Sequence, residues 1–192
     1  MASASGPAPY TWTRRRPPPQ RPSGDLPITY LSPLLAVIVG IVHAAIAPVI
    51  VIAGVKPSLV LVAVVVVTAL FGFVPGVIWA FVAGLTANLL VGEPLGSVPL
   101  VLLLVTVLVA AGARAFGGLV WIYPVVAAFA GSVVADLASL LISQMVTDAI
   151  PSAPPADLLL RSAALNAATV ALLLVPARAL AQRYAPEDAP GW

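Results

Sequence analysis

The chain has 192 residues, of which 61% are hydrophobic and 8% charged, and its formal net charge is +2. Soluble domains carry about 25% charged residues, so this balance excludes a water-soluble fold and makes lipid the solvent. Cys is absent and His43 is the single histidine, which excludes disulfides, thiol nucleophiles and iron–sulfur ligation and leaves no ligand set for zinc.

Residues 1–30 are rich in Pro, Ser, Arg and Gln, and Pro17-Pro18-Pro19 follows Arg14-Arg15-Arg16. Such a segment reads as an extended, disordered cytoplasmic tail. Its arginines suit an anionic leaflet, with Tyr10 and Trp12 at headgroup level. The first apolar run lies too far from them, and is too long, for a secretory signal. Because these arginines supply most of the positive charge, nucleic acid is not an implied partner.

Residues 31–182 form six apolar segments: Leu31 to Ala53, Ser58 to Phe71, Val74 to Val91, Val98 to Ala113, Trp121 to Val146 and Leu158 to Gln182. Residues 183–192 make a short C-terminal tail. Backbone amides in hydrocarbon must be paired within the segment, and the period-two polarity of a barrel strand is missing, so each segment is expected to be a helix. The expected fold is an all-α polytopic membrane bundle of about six helices. The second segment is short: 14 residues reach about 21 Å as a helix against an apolar core of about 30 Å.

Breaks between segments carry turn chemistry. Pro57 suits a first helical position, and Gly72-Phe73-Val74-Pro75-Gly76 and Gly92-Glu93-Pro94-Leu95-Gly96 suit tight reversals. With six crossings and the N-terminus inside, the inner face holds Arg14, Arg15, Arg16, Arg21, Arg114, Arg178 and Arg183, and the outer face only Lys56 and Arg161. The positive-inside rule then places both termini in the cytoplasm and the 147–157 loop outside.

The third segment repeats small residues every four positions, Gly76, Ala80, Gly84, Asn88 and Gly92. A row of this kind lets helix backbones approach closely. It serves packing within the bundle or docking of a partner's helix. The sixth segment repeats the device with Ala163, Ala167 and Ala171, and the first with Gly40 and Ala44.

The fifth segment sets Ser132, Asp136, Ser139 and Ser143 on one helical face. An acid at that depth faces the bundle interior or a wet cavity. By rise per residue, His43, Asn88, Asp136 and Asn166 fall at similar depth, so with Ser139 they are expected to form a buried polar layer in which Asp136 bonds its own helix's serines or pairs with His43. That layer fixes helix register or holds a ligand or proton. No Ser-His pair in a Gly-rich motif, no second membrane acid and no H-E-x-x-H stretch accompanies it, so no enzyme, metal or cofactor is expected.

Residues 54–96 contain Gly54-Val55-Lys56-Pro57-Ser58-Leu59-Val60-Leu61, then Gly72 through Gly76, then Phe81-Val82-Ala83-Gly84-Leu85-Thr86-Ala87-Asn88-Leu89-Leu90, then Glu93-Pro94-Leu95-Gly96. In order and spacing this string resembles the rod-shape-determining MreD family, whose pattern has an acid where Ser58 and Asn88 stand. Asn88 retains hydrogen bonding at that place and gives up an ionic role. The resemblance implies a bacterial inner-membrane, non-enzymatic scaffold of the cell-wall elongation complex. Its implied partners are MreC first, then MreB, RodA and a penicillin-binding transpeptidase. It also implies a fold similar to the substrate-binding component of energy-coupling-factor transporters, and with it an alternative function as the vitamin-binding component of such a transporter.

Overall fold

The computed structural model describes residues 26–46, 49–51, 54–92, 94–116, 122–146 and 156–184, with side chains described from 31 to 180 within these ranges. Tyr10, Trp12, Glu93, most of the N-terminal tail, the 147–155 stretch and residues 185–192 lie outside the described residues. Six helices make up the fold: α1 (Leu26–Ile46), α2 (Leu59–Phe71), α3 (Phe73–Val91), α4 (Ser97–Ala115), α5 (Tyr123–Val146) and α6 (Ala156–Tyr184). No strand is present among the described residues, and α3 to α6 are each long and apolar enough to cross a membrane.

Most helix ends differ from the sequence reading by one or two residues and those of α1 by more, and Phe73 to Gly76, read as part of a reversal, form the first turn of α3. Helix α1 begins at Leu26 rather than Leu31, contains Pro33 and ends at Ile46 rather than Ala53, which leaves residues 49–51 outside any helix. Pro176 likewise lies inside α6. Membrane helices accommodate an internal proline because neighbouring groups satisfy the carbonyl it orphans.

Position within the bundle explains why α2 is short. It packs against all five other helices, which form an arc around it in the order α1, α3, α4, α5, α6. Val60, Leu61, Val62, Val64, Val65 and Val66 are all buried, so α2 is solvated by protein along most of its length. A helix in that position does not have to match the thickness of the lipid core. Its run of valines is apolar on every face, the pattern of a buried helix.

The arc is open at one place. Helices α1 and α6 do not pack on one another, and along α2 the partly covered residues Leu59, Ala63, Val67 and Leu70 recur at helical spacing. They share one face of the helix. Helix α1 is the most peripheral element, held by α3 and more lightly by α2. Its one described side-chain tie to α3 is the Trp79 indole N–H, which donates to Ser32 Oγ at 2.8 Å. Trp79→Phe should therefore lower stability by about 1 kcal/mol, read as an earlier unfolding midpoint in detergent; an unchanged midpoint would show that this bond contributes nothing.

The turns on either side of α3 are short. Helix α2 passes into α3 through Gly72 alone, whose φ of 92° lies in the region that a side chain disfavours. The reversal lays α3 back on α2, so a Cβ at Gly76 would fall on Thr68 Oγ1. Pro75, Pro99 and Pro124 sit in the first turns of α3, α4 and α5, where a missing N–H costs no helical hydrogen bond.

Candidate functional site

The small-residue row of α3 is used inside the bundle. A Cβ at Gly84 would stand 2.9 Å from Pro99 Cα and 2.9 Å from Leu102 Cδ1 of α4. At Gly76 it would also meet Thr106 Cγ2 at 3.0 Å. Ala80 and Asn88 are buried on the same face. From the other side α1 brings Gly40 against the Ala83 carbonyl and Thr86, both at 2.8 Å from its would-be Cβ. Gly92 departs from the row: it is the left-handed cap of α3, with φ 74°, and nothing lies within 4 Å of a Cβ built there. Partner docking on this row would require α4 to leave it.

The polar residues do not form the single layer expected from depth. Asn166 and Asn88 are each 1% exposed, but they occupy separate networks. Asn166 Oδ1 accepts the Ser58 backbone N–H at 2.9 Å, and its Nδ2 donates to Ser132 Oγ at 2.8 Å. One amide thus ties α6 to the start of α2 and to α5. One turn along the antiparallel pair, Asp136 of α5 hydrogen-bonds Ser162 of α6. Asp136 lies four residues after Ser132 and Ser162 four before Asn166, so the two pairs are successive rungs about 6 Å apart.

Asn88 caps a turn. Its Oδ1 accepts the Gly96 backbone N–H at 2.6 Å, closing the loop from α3 to α4. His43 belongs to none of these groups, and this corrects the expected pairing with Asp136: α1 does not pack against α5, and His43 Nδ1 is buried without a partner. Ser139 is exposed rather than buried, because the space between α5 and α6 beyond Asp136 is left open. Equal depth brought no contact where the helices face different neighbours.

That open space is a cavity of about 460 Å³. Asp136, Ser139 and Ser143 of α5, Ser162 of α6 and Ser97 of α4 contribute its polar wall, and Leu159 is among its apolar lining. Asp136 Oδ2 and Ser97 Oγ are buried and have no hydrogen-bond partner. Neither Ser97 nor Ser162 stood out in the sequence; Ser162 lies seven residues after the Pro-rich stretch, and only helix pairing brings it to Asp136. A second, apolar groove of about 490 Å³ runs between α4 and α5 at their other end, bordered by Tyr123, whose hydroxyl donates to the Val109 carbonyl.

The Ser58 position has a local role. Its Oγ accepts the Leu61 N–H at 3.4 Å, so Ser58 is the N-cap of α2. Ser and Asp are nearly equivalent N-caps. Ser58→Asp should leave stability within about 0.5 kcal/mol while Ser58→Ala loses about 1 kcal/mol, both read from unfolding midpoints; equal losses in the two variants would remove the capping role.

Among the described residues no group of three His, Cys, Asp or Glu could hold a metal ion. A family model described as rod shape-determining protein MreD matches residues 26–183. No curated protein and no solved structure matches the chain.

Proposed function

Because the chain belongs to the MreD family of rod shape-determining membrane proteins, we propose that it is a non-enzymatic scaffold of the bacterial cell-wall elongation complex that docks partner proteins by helix packing. The family match over most of the chain carries this reading. MreC is the first partner proposed, with MreB, RodA and a penicillin-binding transpeptidase in the same complex. The proposed location is the inner membrane, with six crossings and both termini cytoplasmic, in keeping with Arg114 and Arg178 on one side and Lys56 and Arg161 on the other.

With the α3 row occupied by α1, α2 and α4, the docking surface falls elsewhere. We place it at the seam between α1 and α6, where small Ala63 lies between Leu59 and Val67 and a partner's helix would complete the arc around α2. Close approach over a small side chain is the usual basis of helix association in lipid. Ala63→Leu should cut co-purification of MreC about tenfold while leaving the unfolding midpoint of the isolated protein unchanged. Undiminished co-purification would remove the seam from the reading, and failure of wild type to bring down any elongation protein would remove the scaffold role.

The alternative, a vitamin-binding transport component, separates from the scaffold by its context. Genes for MreB and MreC beside this one, and rounding of rod-shaped cells on depletion, favour the scaffold; a retained vitamin and an associated coupling module favour transport.

A further inference from the structure

We propose that the cavity between α5 and α6 is a binding site for a primary ammonium group, of which a lipid headgroup amine is one source and a free small amine the other.

Four observations support it. First, Asp136 lines the cavity, is held by Ser162, and has its Oδ2 buried without a donor among the described residues. Second, Ser97 is 9% exposed and its Oγ has no partner, although it lines the same cavity. Buried polar atoms of this kind are rare unless something fills the space beside them. Third, the described lining contains no Lys, Arg or His, so among the described residues no cation answers the carboxyl from within. Fourth, the volume of about 460 Å³ exceeds what a water or a bare cation occupies and falls in the range of small-molecule sites.

The donor and acceptor inventory selects the ligand. A carboxylate oxygen accepts only, and serine hydroxyls both accept and donate. A primary ammonium brings three donors and one positive charge, which suits Asp136 Oδ2, Ser97 Oγ and the hydroxyl of Ser139 on the open wall. An anion would meet the carboxyl with no cation to offset it. A quaternary ammonium carries the charge but no N–H, so it would leave both orphaned oxygens unpaired. Leu159 on the wall accommodates the carbon skeleton that bears the amine. Asp136 lies about 15 Å from the end of α5, so the ligand enters from the membrane face reached by the α3–α4 turn and the start of α6.

The test uses the full-length chain in detergent with three probes: phosphatidylethanolamine, phosphatidylcholine as the same zwitterion without N–H donors, and free ethanolamine. Native mass spectrometry with equal amounts of the two lipids reads which is retained, and ethanolamine is titrated by calorimetry. A lipid source gives about tenfold preference for phosphatidylethanolamine, reduced to parity by Asp136→Asn. A soluble source gives saturable ethanolamine binding, lost in the same variant, without lipid preference. Should Asp136→Asn not fold, Ser97→Ala, which removes a single hydroxyl, must weaken whichever binding is seen. Parity between the lipids together with no ethanolamine binding overturns the proposal, as does a preference that survives both substitutions.

Discussion

Gly84→Ala is expected to destabilise the bundle by about 1–3 kcal/mol, and Gly84→Leu to leave no assembled protein. The added Cβ would stand 2.9 Å from Pro99 Cα, and backbone in a proline-containing helical turn cannot yield by rotating a side chain. Leu102 Cδ1 at the same distance could move, but only into a packed interior. Gly76→Ala should behave alike, since its Cβ would fall on Thr68 with Thr106 Cγ2 at 3.0 Å and both neighbours are stiff β-branched side chains. Gly92→Ala is the internal control: it belongs to the same sequence row, yet meets nothing within 4 Å and carries only the penalty of φ 74°, about 1 kcal/mol. Unfolding in mixed detergent micelles, followed by tryptophan fluorescence, ranks the three. A larger loss at Gly92 than at Gly84 would mean that α3 and α4 do not meet as described.

Asn166→Ala should cost about 2–4 kcal/mol, more than Asp136→Asn at the neighbouring rung. Asn166 is 1% exposed and serves two partners from two other helices. Removing it leaves the Ser58 N–H and the Ser132 hydroxyl without their partner, at about 1–3 kcal/mol for each buried orphan. Membrane hydrogen bonds run toward the lower end of such ranges, because the unfolded chain also finds partners in lipid. Asp136 already has an unpartnered oxygen and faces a cavity, so its conversion to an amide removes less. A double-mutant cycle with Ser132→Ala separates the shared bond from the rest; additive losses at Asn166 and Ser132 would show that the two side chains do not interact.

Sequence alone was enough for the six helices, because hydrocarbon leaves a chain of this composition no other way to pair its amides. The Gly-rich reversals were legible for a similar reason: Gly72 and Gly96 have φ of 92° and 88°, which few other residues adopt. Depth along a helix was also legible, since rise per residue is fixed. Rotation about the helix and choice of neighbour were not. His43 and Asp136 share a depth but lie on helices that do not touch, and Ser58 meets Asn166 across 108 residues of sequence. The valine run of α2 held the best unread clue. Read against lipid thickness it looked too short, whereas its apolarity on every face is what an axial helix surrounded by five others needs.

The proposed six-crossing topology depends on α2 crossing the membrane. Because the chain lacks Cys, a single thiol can be placed at Lys56 before α2, at Leu95 after α3 and at Phe116 after α4, and each reacted in intact cells with a membrane-impermeant maleimide. With α2 and α3 both crossing, Lys56→Cys and Leu95→Cys label alike and Phe116→Cys labels only after the membrane is opened. Labelling of Lys56→Cys and Leu95→Cys from opposite sides would mean that α2 does not cross, and would contradict the account.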